Sequence, residues 1–224
     1  MAAMPPIRFE LRAGAITALP LAIAVGLFGV SFGVLSVSTG GMGALPAIAM
    51  SVTTFAGSAQ FAAASILAGG GQPIAAIAAA LLLNARYLPI GVSVAPFLRG
   101  GPLRRLLTAQ LVVDESWAIA SPGGGQFDPQ RLVGAGIVLW LAWVAGTVVG
   151  VVGGEALGDP VALGLDAAFP ALFLALLVPQ VMGGRAIAAA LLGAGIALAL
   201  VPFTPAGVPI IAAAGAALIG LARR

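Results

Sequence analysis

The chain contains no cysteine, no histidine and no lysine among its 224 residues, and only 8% of them are charged. Without cysteine there is no disulfide framework. Without cysteine or histidine there is no Cys/His zinc cage, no haem ligation by either residue, and no Cys- or His-based catalytic machinery. No G-x-x-x-x-G-K-[ST] loop is present to cradle a nucleotide phosphate. The pattern therefore calls for no enzyme activity, no cofactor and no metal. The ten basic residues are all arginine and raise the pI to about 11.1. They are scattered between apolar runs with no interleaved aromatics, so the chain offers no nucleic-acid surface.

What is present is apolar. Hydrophobic residues make up 61% of the chain and its mean hydropathy is +1.14, whereas soluble domains are about 45–50% apolar and about 25% charged. The apolar runs match the roughly 30 Å hydrocarbon core as helices rather than as the short alternating strands of a barrel. The expected fold is an all-α polytopic membrane bundle, one transmembrane transporter domain over 1–224. Its apolar elements fall at 13–37, 43–69, 73–97, 104–120, 131–154, 161–182, 186–202 and 206–222. Residues 1–12 read as a cytoplasmic N-terminal segment and 121–130 as a Gly/Pro-rich connecting loop. The first element has no A-x-A cleavage site and reads as a retained anchor.

Arginines stay in cytoplasmic loops. Counting back from Arg223 and Arg224 puts the PFTPAG loop outside, Arg185 inside, the 155–166 stretch outside and Arg131 inside. With Arg8 and Arg12 inside, simple alternation would carry Arg99, Arg104 and Arg105 outside. Two solutions exist: the rule is broken there, or elements 43–69 and 104–120 enter and leave on one side as broken or re-entrant hairpins. The hairpin solution keeps both termini and all three arginines cytoplasmic.

Polar residues at bilayer depth are expensive and mark candidate sites. In TTFAGSAQF (53–61), Ser51, Thr54, Ser58 and Ser65 share a stripe on an unbroken helix with Gln60 on the opposite side, and a break at Gly57 would expose backbone that only a substrate or a protein-lined cavity can satisfy. Gly57, Ser58 and Gln60 are thus candidate pathway residues; a packing stripe is the alternative. In LLLNARYLPIG (81–91), Asn84 and Arg86 precede Pro89, and the best partners for the arginine are Asp114 and Glu115 in LVVDESWAIA. That pair either lines a pathway or locks two helices together. Gly146, Gly150 and Gly154, with Gly29 and Gly33, form small-residue faces for helix packing, and Trp140 and Trp143 read as helix-contact or partner-contact residues.

Taken in order, GVSFGVLS (29–36), FAGSAQFAA (55–63), LLLNARYLPIG (81–91), LVVDESWAIA (111–120) and FPALFLALLVP (169–179) resemble the AzlC family of branched-chain amino acid permeases. The resemblance covers most of the chain; it departs at Tyr87, where family members often carry histidine. It implies the large subunit of a secondary transporter in the bacterial inner membrane. Such a transporter exports valine, leucine, isoleucine and sometimes methionine beside a small hydrophobic AzlD-like subunit of about four spans. The polar set suits such a substrate. Backbone N–H groups near Gly57–Ser58 or Arg86 would take the carboxylate, Asp114 or Glu115 the ammonium, and apolar walls the side chain. Either acid could also carry a proton. A passive channel or a membrane scaffold subunit for another small solute is the alternative.

Overall fold

The computed structural model describes residues 7–38, 42–121, 127–154, 174, 177–178, 181, 183–205 and 207–217. Among them the fold is all-helical: α1 (Ile7–Ser38), α2 (Ala44–Thr53), α3 (Gly57–Ala68), α4 (Pro73–Asn84), α5 (Tyr87–Val94), α6 (Pro102–Ala109), α7 (Asp114–Ala120), α8 (Pro129–Gly153), α9 (Gly184–Leu200) and α10 (Val208–Ala214). Most of element 161–182, the 155–166 stretch, Arg223 and Arg224 lie outside the described residues.

The frame is a pair of long apolar helices, α1 and α8, each long enough to cross a membrane. Their contact is made by glycines. Gly14 lies against the Arg131 carbonyl, Gly134 against that of Leu11, Gly146 against that of Gly26 and Gly150 against that of Val30, while a methyl on Gly29 would stand 2.6 Å from the Trp143 carbonyl oxygen. With no Cβ between them the two backbones close to direct contact, where dispersion and weak Cα–H···O contacts replace the hydrophobic force absent between helices in lipid. Gly29, Gly33, Gly146 and Gly150 all sit in this seam. Gly154 is held more loosely across the pair, where a methyl would stand 3.4 Å from the Val37 side chain and 3.8 Å from the Val34 Cα. Residue numbers rise together along the seam, so α1 and α8 run parallel. An ion pair between Arg131 Nε and Glu10 Oε2 (2.7 Å) joins their N-terminal ends.

That parallel pair defines a near end, at Ile7 and Pro129, and a far end, at Ser38 and Gly153, and the intervening chain can be followed by contacts. The Gly43 N–H bonds the Ser36 carbonyl at the far end (3.2 Å). From there α2 descends until Ser51 Oγ lies 2.9 Å from Thr147 Oγ1 and the Val52 carbonyl accepts the Trp140 indole N–H (3.1 Å). The chain turns at Thr54–Ala56. α3 then climbs back: Gly57 lies beside Trp143, and the Phe61 ring is 5.6 Å from that of Phe32. Element 43–69 is therefore a helical hairpin that starts and ends at the far end.

α4 descends against α3, pairing Ala76 and Ala79 with Ala63 and Ile66. It bends by 52° at Ala85–Arg86 and continues as α5 to the near end. There Val94 packs with Ala120 and Leu132, and Phe97 stands 4.7 Å from Phe127. From Gly101 α6 rises to Gln110, whose Nε2 donates to the Val52 carbonyl (3.3 Å). α7 returns to the near end, where the Ala120 carbonyl accepts the Asp128 N–H (2.9 Å). Element 104–120 is the second hairpin, starting and ending at the near end. The two tips meet at Val52 and Gln110.

Arg99, Arg104 and Arg105 consequently sit at the same end as Arg8, Arg12 and Arg131, which is the hairpin solution to the arginine pattern. α9 and α10 pack antiparallel, with Gly193 facing the Ala213 carbonyl, and Gly207 of their connection rests on Ala75 and Ile66 at the far end. Two boundaries differ from expectation. Residues 7–12 are helical rather than a segment preceding the helix, because α1 extends past the apolar stretch to reach Arg131. The 121–130 loop ends early: Asp128 caps α8 by accepting the Gln130 and Arg131 N–H groups, and Pro129 occupies the first helical position.

Candidate functional site

Between the hairpin tips and the α1–α8 frame lies a cavity of about 80 Å³ lined by Val25, Phe28, Phe55, Gly57, Ser58, Arg86, Tyr87, Val113, Asp114, Glu115, Leu139 and Trp143. It is smaller than the several hundred Å³ of drug-sized ligand sites but has room for a few waters or a small solute's polar head. Three interruptions of the backbone converge on it: the start of α3 at Gly57, the α4–α5 break at Arg86, and the start of α7 at Asp114. Each element was cut from an apolar run at that point, and each cut frees backbone groups that lipid cannot satisfy and a protein-lined cavity can.

Arg86 is the centre of the polar side. Its Nη1 lies 3.1 Å from Asp114 Oδ2, and its Nη2 donates to Ser58 Oγ and to Tyr87 Oη, both at 3.2 Å. The guanidinium carbon is also 5.0 Å from the Tyr87 ring centroid. About a third of each charged side chain, 34% for Arg86 and 36% for Asp114, remains open. Glu115 lines the same cavity and makes no salt bridge among the described residues. The rest of the lining is largely apolar: Val25, Phe28, Phe55, Val113, Leu139 and Trp143. Phe55, at the hairpin tip, has φ 40°, a left-handed conformation that costs about 1–2 kcal/mol for a side chain of its type. Burial of its ring (6% exposed) in the apolar cluster offsets that strain.

The sequence candidates divide into two groups. Gly57, Ser58, Arg86, Asp114 and Glu115 come together around the cavity. Gln60 and Asn84 do not line it. The break falls at Thr54–Ala56, not at Gly57, which is the first residue of α3. Gln60 then folds inward: its Oε1 accepts the Ala56 N–H (3.1 Å) and its Nε2 donates to Ser51 Oγ (3.0 Å), so it clasps the hairpin. Ser51 Oγ also accepts the Trp143 indole N–H (3.1 Å). With both lone pairs filled, its proton goes to Thr147 Oγ1, which donates to the Trp143 carbonyl (2.9 Å). Every member of this buried network is satisfied. Among the described residues, Asn84 Oδ1 and Arg86 Nε are buried without a hydrogen-bond partner beside the α4–α5 break.

Ser116 performs the matching task in the second hairpin, accepting the Val113 N–H (3.0 Å) and donating to the Leu111 carbonyl (2.7 Å). Reach-back to the residue before a helix is a capping device. A polar residue three or four positions beyond the break was the signal that could have separated Gln60 from the cavity residues. Trp143 and Tyr87 were missed as lining residues, because ring size carries no polar signature within an apolar run.

A protein-family model described as "AzlC protein" matches residues 20–157, a stretch that contains both hairpins and every cavity residue. The chain is 32% identical over 178 residues to "Branched-chain amino acid transport protein AzlC" of Bacillus subtilis (strain 168), covering 76% of this chain and 68% of that protein. It is 31% identical over 214 residues to an "Uncharacterized membrane protein" of Archaeoglobus fulgidus, covering 93% and 94% of the two chains. No solved structure matches.

Proposed function

Because the chain belongs to the AzlC family, we propose that it is the large subunit of a secondary transporter that exports branched-chain amino acids across the bacterial inner membrane. The observation that carries this reading is the partly open Arg86–Asp114 pair facing an apolar wall inside the bundle. A free amino acid is a zwitterion with an aliphatic appendage, and the cavity has the complementary division. Arg86, with Ser58 and the uncapped first turn of α3, takes the carboxylate, the site at which a half-helix N-terminus favours negative charge. Asp114 takes the ammonium, and Val25, Phe28, Leu139 and Trp143 face the side chain. Inserting between Arg86 and Asp114, the substrate exchanges one ion pair for two and leaves no buried charge unpartnered.

The arginine-bearing near end is the cytoplasmic one, with the N-terminus on that side. Much of the surface is apolar, with large side chains such as Leu88, Val92 and Leu198 more than 70% exposed, and a small AzlD-like subunit of about four spans shares it with lipid. Reconstitution tests the reading. Proteoliposomes containing the chain and its partner should move radiolabelled valine and accumulate it against its own gradient when an ion gradient is imposed. Equilibration without accumulation would indicate a passive channel, and full flux from the chain alone would remove the partner from the reading.

A further inference from the structure

We infer that the Trp143 indole, fixed over Gly57, sets the largest side chain the cavity accepts, an inference that rests on the amino-acid reading above. The ring is almost wholly enclosed (4% exposed). It stacks on Phe32 at 5.8 Å and 25°, and meets Phe61 edge-on at 6.2 Å and 75°. Its N–H is held by Ser51, which is in turn saturated by Gln60 and Thr147. Rotation of the indole would strand a buried donor and break two aromatic contacts, so this wall does not yield to a larger solute by changing rotamer.

The leading edge of the ring fixes the depth of the cavity. A Cβ on Gly57 would stand 3.2 Å from Trp143 Cη2 and 3.3 Å from Cζ3, so the indole occupies the space a side chain at 57 would take. Ser58 follows directly and touches Arg86. The carboxylate end of the site and its apolar floor are therefore tied together through consecutive residues of one helix start. A substrate held at Ser58 and Arg86 has a set distance to the ring edge. Side chains that end short of it pack against the wall, and longer ones must displace a clamped aromatic, which overpacked interiors resist. Val25 and Phe28, the α1 members of the wall, are only partly buried and carry no hydrogen-bond anchor.

The test is the relative kcat/KM for valine, leucine and phenylalanine, measured with the full chain and its partner in proteoliposomes. Trp143→Phe removes the outer ring but leaves Ser51 bonded to Gln60 and Thr147, so the hairpin clasp stays closed. Phenylalanine should gain on valine by about tenfold, the low end of what one methylene is worth in an apolar pocket. Gly57→Ala adds a methyl against the fixed ring tip, in space that both residues line, and leucine should lose to valine by a similar factor. If a variant binds but does not transport, the same ratios are read by competition against bound radiolabelled valine. Ratios that stay at wild-type values in both variants, or a uniform loss for all three substrates, would overturn the inference. Absence of valine transport and binding in the wild type would instead overturn the function on which it rests.

Discussion

Replacing Arg86 with methionine deletes three polar contacts at once: the 3.1 Å pair with Asp114 and the donations to Ser58 and Tyr87. Two opposite charges at that distance attract by roughly 5 kcal/mol at an effective dielectric of about 20, and desolvation of both groups offsets most of it. Breaking a fully buried pair costs about 3–5 kcal/mol and an exposed pair up to about 1. With about a third of each side chain open (34% and 36%), the expected loss lies between these limits, about 2 kcal/mol. Asp114→Leu should cost a similar amount, since it leaves the guanidinium without its carboxylate. The double variant should recover about 1–2 kcal/mol relative to the sum, because neither charge is then stranded, and it should still fail to transport. The measurement is unfolding in mixed detergent micelles of the wild type, both single variants and the double. Additivity within about 0.3–0.5 kcal/mol would refute the coupling. Retained transport in the double variant would refute the assignment of the pair to the substrate.

The seam between α1 and α8 should not tolerate a side chain at Gly150, which lies against the Val30 carbonyl: Gly150→Val should prevent accumulation of folded protein in the membrane, whereas Gly195→Ala, with nothing within 4 Å, should leave the yield unchanged. Gln60→Met should lower stability by about 1–3 kcal/mol, the cost of leaving the buried Ala56 N–H without its acceptor, while the KM for valine stays close to wild type because Gln60 does not line the cavity. The re-entrant path is open to single-cysteine labelling, since the chain has no native thiol. An impermeant reagent added outside cells should modify cysteine at Leu45 and at Gln72 but not at Gly101, and labelling at 101 with protection at 72 would show instead that 43–69 crosses the membrane.

The sequence signals that proved informative were those in which lipid imposes a single solution. An uninterrupted apolar run of sufficient length becomes a spanning helix, as in α1 and α8, and glycines four apart on one face become a close backbone contact, as at Gly146 and Gly150. The arginine pattern was also sufficient to raise the hairpins, because Arg99, Arg104 and Arg105 can share an end with Arg8, Arg12 and Arg131 only if two elements turn back. Other features depend on contacts between distant segments. Gln60 and Ser58 are two residues apart in one polar run, yet one clasps a turn and the other faces Arg86; only the location of the break, at Thr54–Ala56, separates their roles. Trp143 belongs to a helix whose local pattern reads as packing, and the α2–α3 tip turns one edge of its ring into a cavity wall.

The position of the polar residues follows from the position of the breaks. A charge at bilayer depth needs protein or water around it, and so does an interrupted helix, because both carry groups that hydrocarbon leaves unsatisfied. Placing Arg86 at the α4–α5 bend and Asp114 at the first turn of α7 lets one protein-lined space serve both needs. Conversely, the hairpins need the polar residues. Their tips meet through a 3.3 Å hydrogen bond from Gln110 to Val52 and through the apolar cluster that holds Phe55 and Val113, and among the described residues the 3.1 Å contact of Arg86 with Asp114 is the one ion pair that ties the near-end hairpin to the helix descending from the far-end one. A solute that separates Arg86 from Asp114 therefore loosens the joint between the two hairpins.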